Sequence, residues 1–183
     1  MAEQVDSYER ALALVRAGKS EELRKMLRGE EVAPGDKDSS GRTLLHHAAE
    51  VGEPATIDAL LGCGAQPNVV DCNGKTPADV ALEHSKFAAA QRLAQSNGEA
   101  TYYREHPALA WKRVLELKGK ERLRGIETLS LLGIDPNAVV MGKLTPLVCV
   151  VMEDDIAAAR CLIKQGADVR CETNRGRTAL HWA

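Results

Sequence analysis

Residues 38–49 read Asp38-Ser39-Ser40-Gly41-Arg42-Thr43-Leu44-Leu45-His46-His47-Ala48-Ala49, and parts of this stretch return at a fixed distance. Gly41-Arg42-Thr43 recurs as Gly74-Lys75-Thr76, 33 residues later. Thr145-Pro146-Leu147 is followed at the same distance by Thr178-Ala179-Leu180. A fixed repeat of this length is typical of solenoids, in which each unit buries its apolar face only against its neighbours. The period therefore predicts a recognition surface of stacked units rather than an enzyme.

The composition predicts a core of small and aliphatic side chains. Of the 183 residues, 44% are hydrophobic but only 3% are aromatic, so Ala, Leu, Val and Ile have to fill the core. The net charge of −2 favours neither nucleic acid nor an anionic membrane, and no apolar run is long enough for a transmembrane helix. The first residues lack the pattern of a secretory signal, and the five cysteines have no paired short spacing. We therefore expect free thiols and a cytoplasmic or nuclear location.

Local signals in the first clear unit predict a turn followed by two helices. Asp and Ser side chains in residues 38–41 can bond the turn backbone, and the glycine there permits a positive φ. Thr43 stands where a helix N-cap is expected, and Gly52 follows the helix predicted at 44–50. A second helix is predicted at about 54–61, and the same order begins again at residue 71.

These residues resemble the ankyrin repeat, whose unit reads D-x-x-G-x-T-P-L-H-x-A-A, then a second helix, then L-L-x-x-G-A-D-V-N. The first clear unit matches at Asp38, Gly41, Thr43, Leu45, His46, Ala48 and Ala49, with Leu44 in place of the proline. The second unit has Asp79 where the pattern has His, and a later unit has one extra residue between Gly142 and Thr145. The resemblance implies an all-α solenoid of antiparallel helix pairs, with β-hairpin or turn fingers at one edge.

The period divides residues 1–183 into a single array. From Thr76 to Thr145 the chain runs for two periods plus three residues, which requires a degenerate repeat between them. We predict an N-terminal capping helix pair (6–37), a repeat (38–70), a second repeat (71–103) with an altered loop (96–106), the degenerate repeat (104–139), a further repeat (140–172) and the start of a truncated one (173–183). Because this last segment opens a helix without a partner helix, we expect the chain to be part of a longer polypeptide.

The histidines and cysteines have structural interpretations that outweigh chemical ones. His46 and His181 occupy the His position of the family pattern, where the imidazole holds the neighbouring turn. A zinc site from His46, His47, Cys63 and Cys72 would have suitable ligand types, but the spacing matches no common zinc module. No base is evident that would activate a cysteine as a nucleophile. We therefore predict no catalytic residue, no metal and no cofactor.

Other side chains have predicted places in the core or at the surface. Cys149, Cys161 and Trp111 are expected in the core. Residues 112–124 carry the densest charge, from two acidic and six basic side chains: Lys112, Arg113, Lys118, Lys120, Arg122 and Arg124. A solvated helix face is the ordinary interpretation of such a cluster, and contact with phosphate, phosphoinositide or nucleic acid is the alternative. Asn137 occupies a family position that is sometimes hydroxylated by an asparaginyl hydroxylase.

The sequence indicates a non-catalytic protein–protein interaction module or scaffold that displays turn tips and inner helices to a protein partner. The family's variable positions and the tyrosines of the altered loop supply the candidate contacts: Ser39, Ser40, Arg42, Glu50, Val51, Cys72, Asn73, Lys75, Glu83, His84, Tyr102, Tyr103, Met141, Lys143, Met152, Glu153, Asn174, Arg175 and Arg177. Arg42, Arg175, Tyr102 and Tyr103 are the expected anchors, because interfaces concentrate binding energy in aromatic and Arg side chains. Two further functions stay open: an N-terminal regulatory or substrate-recruiting module of a larger enzyme (a kinase, transferase or ubiquitin ligase subunit), and a scaffold that self-associates through its Trp182 edge.

Overall fold

A computed structural model describes the backbone of residues 2–183 and the side chains from residue 7 onward. This part of the chain contains eleven α-helices and one 3-10 helix: α1 (Ala2–Arg16), α2 (Ser20–Arg28), α3 (Leu44–Val51), α4 (Pro54–Gly62), α5 (Pro77–Glu83), α6 (Phe87–Gln95), α7 (Thr101–Glu105), α8 (Pro107–Glu116), α9 (Gly119–Leu131), α10 (Pro146–Met152), α11 (Ile156–Lys164) and the 3-10 helix Ala179–His181. None of the described helices is both long enough and apolar enough to cross a bilayer. The helices fall into two compact units, which divide between Tyr102 and Tyr103.

The first unit stacks three helix pairs. Each helix packs on its pair partner and on the equivalent helix of the next pair, so α1, α3 and α5 form one row and α2, α4 and α6 form a second. We call the first of these the inner row. Its facing surfaces approach closely because Ala48, Ala49, Ala78 and Ala81 are fully buried there. The aliphatic, small-residue core predicted from composition is present in this unit.

Helix starts in the inner row follow the predicted capping signals. Thr43 and Thr76 precede α3 and α5, and each forms a capping box with the residue three positions later. Gly52 ends α3 with a φ of 86°, the left-handed conformation that glycine adopts most readily. The helix–turn–helix order predicted for this repeat is therefore correct to within about one residue at each end.

The fingers between repeats are tight turns. Within residues 2–183 the β-structure consists of two isolated antiparallel bridges, Lys37–Thr43 and Met141–Leu144. Asp38 Oδ1 accepts the backbone N–H groups of Ser40 (2.8 Å) and Arg42 (2.9 Å), and Asp71 repeats this arrangement one period later. The carboxylate accepts these N–H groups locally, so they do not need a longer pair of strands to supply their acceptors.

The second unit contains the pairs α8–α9 and α10–α11. Here α8 packs on α10, α9 packs on α11, and the 3-10 helix packs on α10. Trp111 of α8 is fully buried, as predicted, and its Nε1–H donates to the carbonyl of Asp135 at 2.7 Å. The segment 96–106, predicted to be an altered loop, contains the short helix α7.

Candidate partner-binding surface

Two ion pairs recur at the repeat period on the inner row of the first unit. Arg42 Nη1 lies 2.9 Å from Glu50 Oε2, and Lys75 Nζ lies 2.7 Å from Glu83 Oε2. Each pair joins the turn before an inner helix to the C-terminal end of that helix. The four side chains were predicted as partner contacts, and the structure brings them together two by two.

The cations of these pairs make further contacts. Arg42 Nε lies 3.5 Å from Asp71 Oδ2 of the next turn, and Lys75 Nζ lies 5.3 Å from the centre of the Tyr102 ring, within cation–π range. The Arg42 and Lys75 side chains are only 23% and 17% exposed. Their charged groups are therefore engaged within the protein, whereas the turn tips expose Ser39, Ser40, Cys72 and Asn73.

His46 links one repeat to the next, as the structural interpretation predicts. Its Nδ1 accepts the N–H of Thr43 at 3.0 Å, which leaves the proton on Nε2 to be donated to the carbonyl of Lys75 at 3.1 Å. Burial lowers the pKa of His46, against an opposing effect of the Lys75 carbonyl. His181 makes the same Nδ1 contact with the N–H of Thr178 at 3.1 Å.

Asp79 replaces this histidine in the second repeat, and the structure gives the reason. No turn follows at the equivalent place; the first residues of α7 lie there, and they present a backbone donor instead of a carbonyl acceptor. Asp79 is fully buried, and its Oδ2 accepts the N–H groups of Thr76 (3.0 Å) and Tyr102 (3.1 Å). This repeat position therefore holds a donor, His46, where a turn carbonyl lies opposite, and an acceptor, Asp79, where a helix N–H lies opposite.

Two asparagine side chains connect neighbouring repeats, because in each the Nδ2 group donates and the Oδ1 atom accepts a hydrogen bond. Asn68 Nδ2 donates to the carbonyl of Asn97 at 3.0 Å, and its Oδ1 accepts the N–H of Glu99 at 2.8 Å. In the second unit Asn137 Oδ1 accepts the N–H of Asp168 at 2.7 Å, at the same spacing along the chain. Hydroxylation of Asn137 stays a prediction, and any such modification would have to preserve this bond.

The second unit replaces the charged pairs with apolar side chains. Relative to Thr145, Leu144 takes the place of the basic residue and Met152 takes the place of the glutamate. Met152 is 49% exposed, and Met141 at the turn tip is 66% exposed. The extra residue, Lys143, is exposed and adopts a φ of 68°. This surface therefore offers adaptable apolar contacts beside a cation.

The basic cluster at 112–124 does not form one exposed face. Arg122 is fully buried: its guanidinium donates to Glu153 (2.7 Å), to Asp155 (2.9 Å) and to two carbonyl groups near the end of α8. Lys118 pairs with Glu153 at 2.6 Å, and Arg124 lies 3.5 Å from a glutamate of its own helix. A phosphate contact through Arg122 is therefore excluded by its burial and its bonding.

Glu153 changes role for the same reason. It was predicted as a partner contact, but hydrogen bonds from Lys118 and Arg122 engage its carboxylate and lower its pKa. This network was not predicted, although the separation of 33 residues between Arg122 and Asp155 is the repeat period itself. That spacing was the available signal.

The remaining predicted contacts differ in accessibility. Tyr103 was predicted as a partner contact, but it is only 2% exposed and lies in the core, so it cannot contact a partner. Val51 is half-buried, whereas His84, Asn174, Arg175 and Arg177 are exposed. Arg177 lies 5.2 Å from the centre of the Trp182 ring.

The described residues contain no group of three or more His, Cys, Asp or Glu side chains able to hold a metal ion. The five cysteines are free thiols; only Cys72 is exposed, and the other four are half-buried. Burial raises the pKa of Cys149 and of Cys161, which disfavours their thiolates.

Paired helices, capping threonines and Asx-type turns at a 33-residue period define a repeat protein of the helical solenoid class. The chain belongs to the ankyrin-repeat family. The family description "Ankyrin repeats (3 copies)" matches residues 12–103, about half of the chain.

The chain spans less than half the length of the relatives it matches, and these relatives differ in kind. The chain is 29% identical over 90 residues to tyrosine-protein kinase HTK16 of Hydra vulgaris and 42% identical over 77 residues to the E3 ubiquitin-protein ligase Ufd4 of Drosophila melanogaster. The matches cover 49% and 39% of the chain, but only 12% and 3% of those proteins. Human NF-kappa-B inhibitor alpha is 29% identical over 125 residues, which cover 64% of the chain and 38% of the inhibitor.

Among the solved structures of similar fold is one that resembles nearly the whole chain. It is a chain in the complex of the predatory endopeptidase Bd0816 of Bdellovibrio bacteriovorus with the immunity protein Bd3460. The TM-score is 0.63, with 94% of this chain and 89% of the other covered. At 18% identity this likeness concerns the fold alone.

Proposed function

We propose that the chain is a non-catalytic module whose turn tips and inner-row helices bind a protein partner. The observation that carries this proposal is the recurrence of the Arg42–Glu50 and Lys75–Glu83 ion pairs, at 2.9 and 2.7 Å. These pairs hold the surface in one arrangement before a partner arrives, so little conformational entropy is lost on binding. We infer a cytoplasmic or nuclear site of action, because five free thiols suit a reducing compartment.

The contacts differ between the two units. In the first unit the exposed tips are small and polar, above supporting ion pairs. In the second unit the corresponding surface presents Met141, Lys143 and Met152, with Arg175 in the following turn. Methionine adapts its shape to a partner, and arginine is a frequent hot-spot residue.

Affinity capture with two matched variants tests this function. Ser40→Arg with Asn73→Arg places bulk and charge on two exposed tips of the first unit, whereas Ala55→Arg with Ala88→Arg makes the same changes on exposed positions of α4 and α6. Wild type and the helix variant should recover the same partner from native lysate, and the tip variant should recover about tenfold less. Equal recovery by all three proteins would contradict the proposal. Cross-linking followed by mass spectrometry would identify the contact residues.

A second candidate is a regulatory or recruiting module within a larger enzyme. It is favoured by the kinase and ubiquitin ligase relatives, of which the matches cover only 12% and 3%. An antibody raised against this chain should then detect a native protein far heavier than 19.8 kDa. A native band at the mass of the chain itself would contradict this candidate while leaving the binding function open.

A further inference from the structure

An open pocket of about 350 Å³ lies in the first unit, where three inner-row helices end. Its walls come from the C-terminal turn of α1, from that of α3, and from the residues that follow α5. Six side chains line it: Arg16, His47, Glu50, Val51, His84 and Lys86. Glu50, Val51 and His84 were predicted as partner contacts. The two cations were not, because they lie outside the family's variable positions.

The charges around this pocket do not cancel. Arg16 and Lys86 are exposed, and neither makes an ion pair with any described residue. The carboxylate that lines the pocket belongs to Glu50, and Arg42 already binds it at 2.9 Å. Within the described part of the chain, the charges of Arg16 and Lys86 therefore have no carboxylate partner.

Two histidines also line the pocket. His84 Nε2 lies 3.9 Å from Glu50 Oε1, and its side chain is 40% exposed. His47 Nε2 lies 2.9 Å from Asp38 Oδ2, so this nitrogen already has a hydrogen-bond partner in the turn before α3. His84 remains available as a hydrogen-bond donor to a ligand.

The three helix C-termini at the pocket reduce its attraction for anions. Each helix C-terminus carries about half an elementary negative charge, which attracts cations and weakens the pull on an anion. Three such termini offset part of the charge of Arg16 and Lys86 but do not offset all of it. We therefore expect a moderate, salt-sensitive affinity for anions.

Lys86 is held in position by its neighbour. A Cβ atom added to Gly52 would lie 2.6 Å from Lys86 Cδ, so the lysine stem packs directly over the glycine backbone. A stem fixed in this way loses little rotamer entropy when its ammonium group binds a ligand. Val51 adds an apolar surface beside the charges.

We propose that this pocket binds carboxylate side chains of an acidic peptide segment in the protein partner. The proposal rests on the proposed function and names the chemistry of the partner. An Arg guanidinium binds a carboxylate through two parallel hydrogen bonds, and Lys binds it as a point charge. An extended acidic segment can place one carboxylate on Arg16 and a second on Lys86, because the pocket is open and large enough for more than one side chain.

Titration with hexaglutamate tests the proposal on the whole chain. In a two-dimensional amide spectrum of the isotope-labelled protein, we expect shifts to concentrate at Val51, Gly52 and His84. Hexalysine should not produce them. The binding should weaken when salt rises from about 20 mM to about 200 mM, because the charges are exposed.

Two double variants with the same change of net charge separate the pocket from general attraction. Arg16→Glu with Lys86→Glu should weaken hexaglutamate binding about tenfold or more, because both charge-assisted contacts are lost. Lys25→Glu with Arg28→Glu, on exposed positions of α2, should change it by less than about twofold. Equal loss in both variants, or no shift in the wild-type protein, would overturn the proposal.

The same variants distinguish this proposal from the proposed function. A partner whose capture depends on the Ser40 and Asn73 tips, but is unaffected by Arg16→Glu with Lys86→Glu, would keep the interaction function and reject the acidic segment. A partner that is lost with both the tip variant and the pocket variant, but retained by the α2 variant, would support both.

Discussion

At the scale of single residues, His46 and Asp79 occupy the same repeat position with opposite hydrogen-bonding roles. His46 offers a proton to the carbonyl of Lys75, whereas Asp79 accepts the N–H of Tyr102. A buried polar group that loses its partner costs more than the bond contributes when made. The residue type at this position therefore depends on whether the neighbouring element presents a carbonyl or an N–H group.

Asp79→Asn should destabilise the protein. The amide can present one oxygen to the N–H groups of Thr76 and Tyr102, but it has no charge and brings two donors into a fully buried place. We expect the free energy of unfolding in urea to fall by about 2–3 kcal/mol. Glu21→Gln removes the same charge at a side chain that is 82% exposed, and should change stability by less than about 0.5 kcal/mol. Equal stability of Asp79→Asn and wild type would refute the role given to this carboxylate.

His46 should make stability depend on pH near neutrality. Burial lowers its pKa in the folded state below the ordinary value of 6.5, so the unfolded chain binds more protons. Stability is then complete above about pH 6.5 and decreases as the pH falls from there toward the folded-state pKa. His46→Gln should be less stable at pH 8 but should lose less stability between pH 8 and pH 5.5 than wild type. Urea unfolding at several pH values measures this difference, and parallel curves for the two proteins would count against it.

At the scale of elements, Arg122 joins the turn between α8 and α9 to the start of α11. One guanidinium donates to Asp155 across the repeat and to the carbonyl of Leu117 within its own repeat. Glu153 takes a further bond from it. We infer that this buried cation, which donates four hydrogen bonds, fixes the register of two helix pairs, although its formation need not add net stability.

Arg122→Leu should destabilise the second unit strongly. The change leaves two carbonyl groups without their donor and removes the cation from two carboxylates. Glu153 keeps its bond from Lys118, and Asp155 keeps the N–H of Ala158. We expect a cost of about 3 kcal/mol. Arg124→Leu, at a side chain that is 64% exposed, should cost less than about 0.5 kcal/mol. Fluorescence of buried Trp111 during guanidinium unfolding reports on this unit. A similar midpoint for both variants would contradict the structural role of Arg122.

The elements that the sequence predicts well are those whose signals are local. Thr43 and Gly52 bound α3 because a cap and a left-handed residue act within one turn of helix. α7 and the Arg122 network were missed because their partners lie far along the chain: Tyr102 is 23 residues from Asp79, and Asp155 is 33 residues from Arg122. Charge density alone suggested a solvated face for Arg122, since composition carries no information on burial.

At the scale of the whole chain, the two units present different chemistry at equivalent repeat positions. The first unit carries charged pairs at the positions of Arg42 and Glu50, and the second carries Leu144 and Met152 there. The repeat period predicts which positions of the two units are equivalent. Whether a given position is rigid, buried or free depends on side-chain pairing, which the period does not encode.

Residues 1–106, produced alone, should fold. This segment contains both rows of the first unit with their buried core, and it keeps all of α7, so Asp79 retains its contact with Tyr102. Because repeat stability is close to a sum of intrinsic and nearest-neighbour contributions, three stacked helix pairs should suffice. We expect a helical circular dichroism spectrum and a single cooperative urea transition. Residues 1–75, which lack α5 and α6 and so expose the apolar sides of α3 and α4, should give a weaker and broader transition. A structureless spectrum for residues 1–106 would show that this unit cannot fold without the rest of the chain.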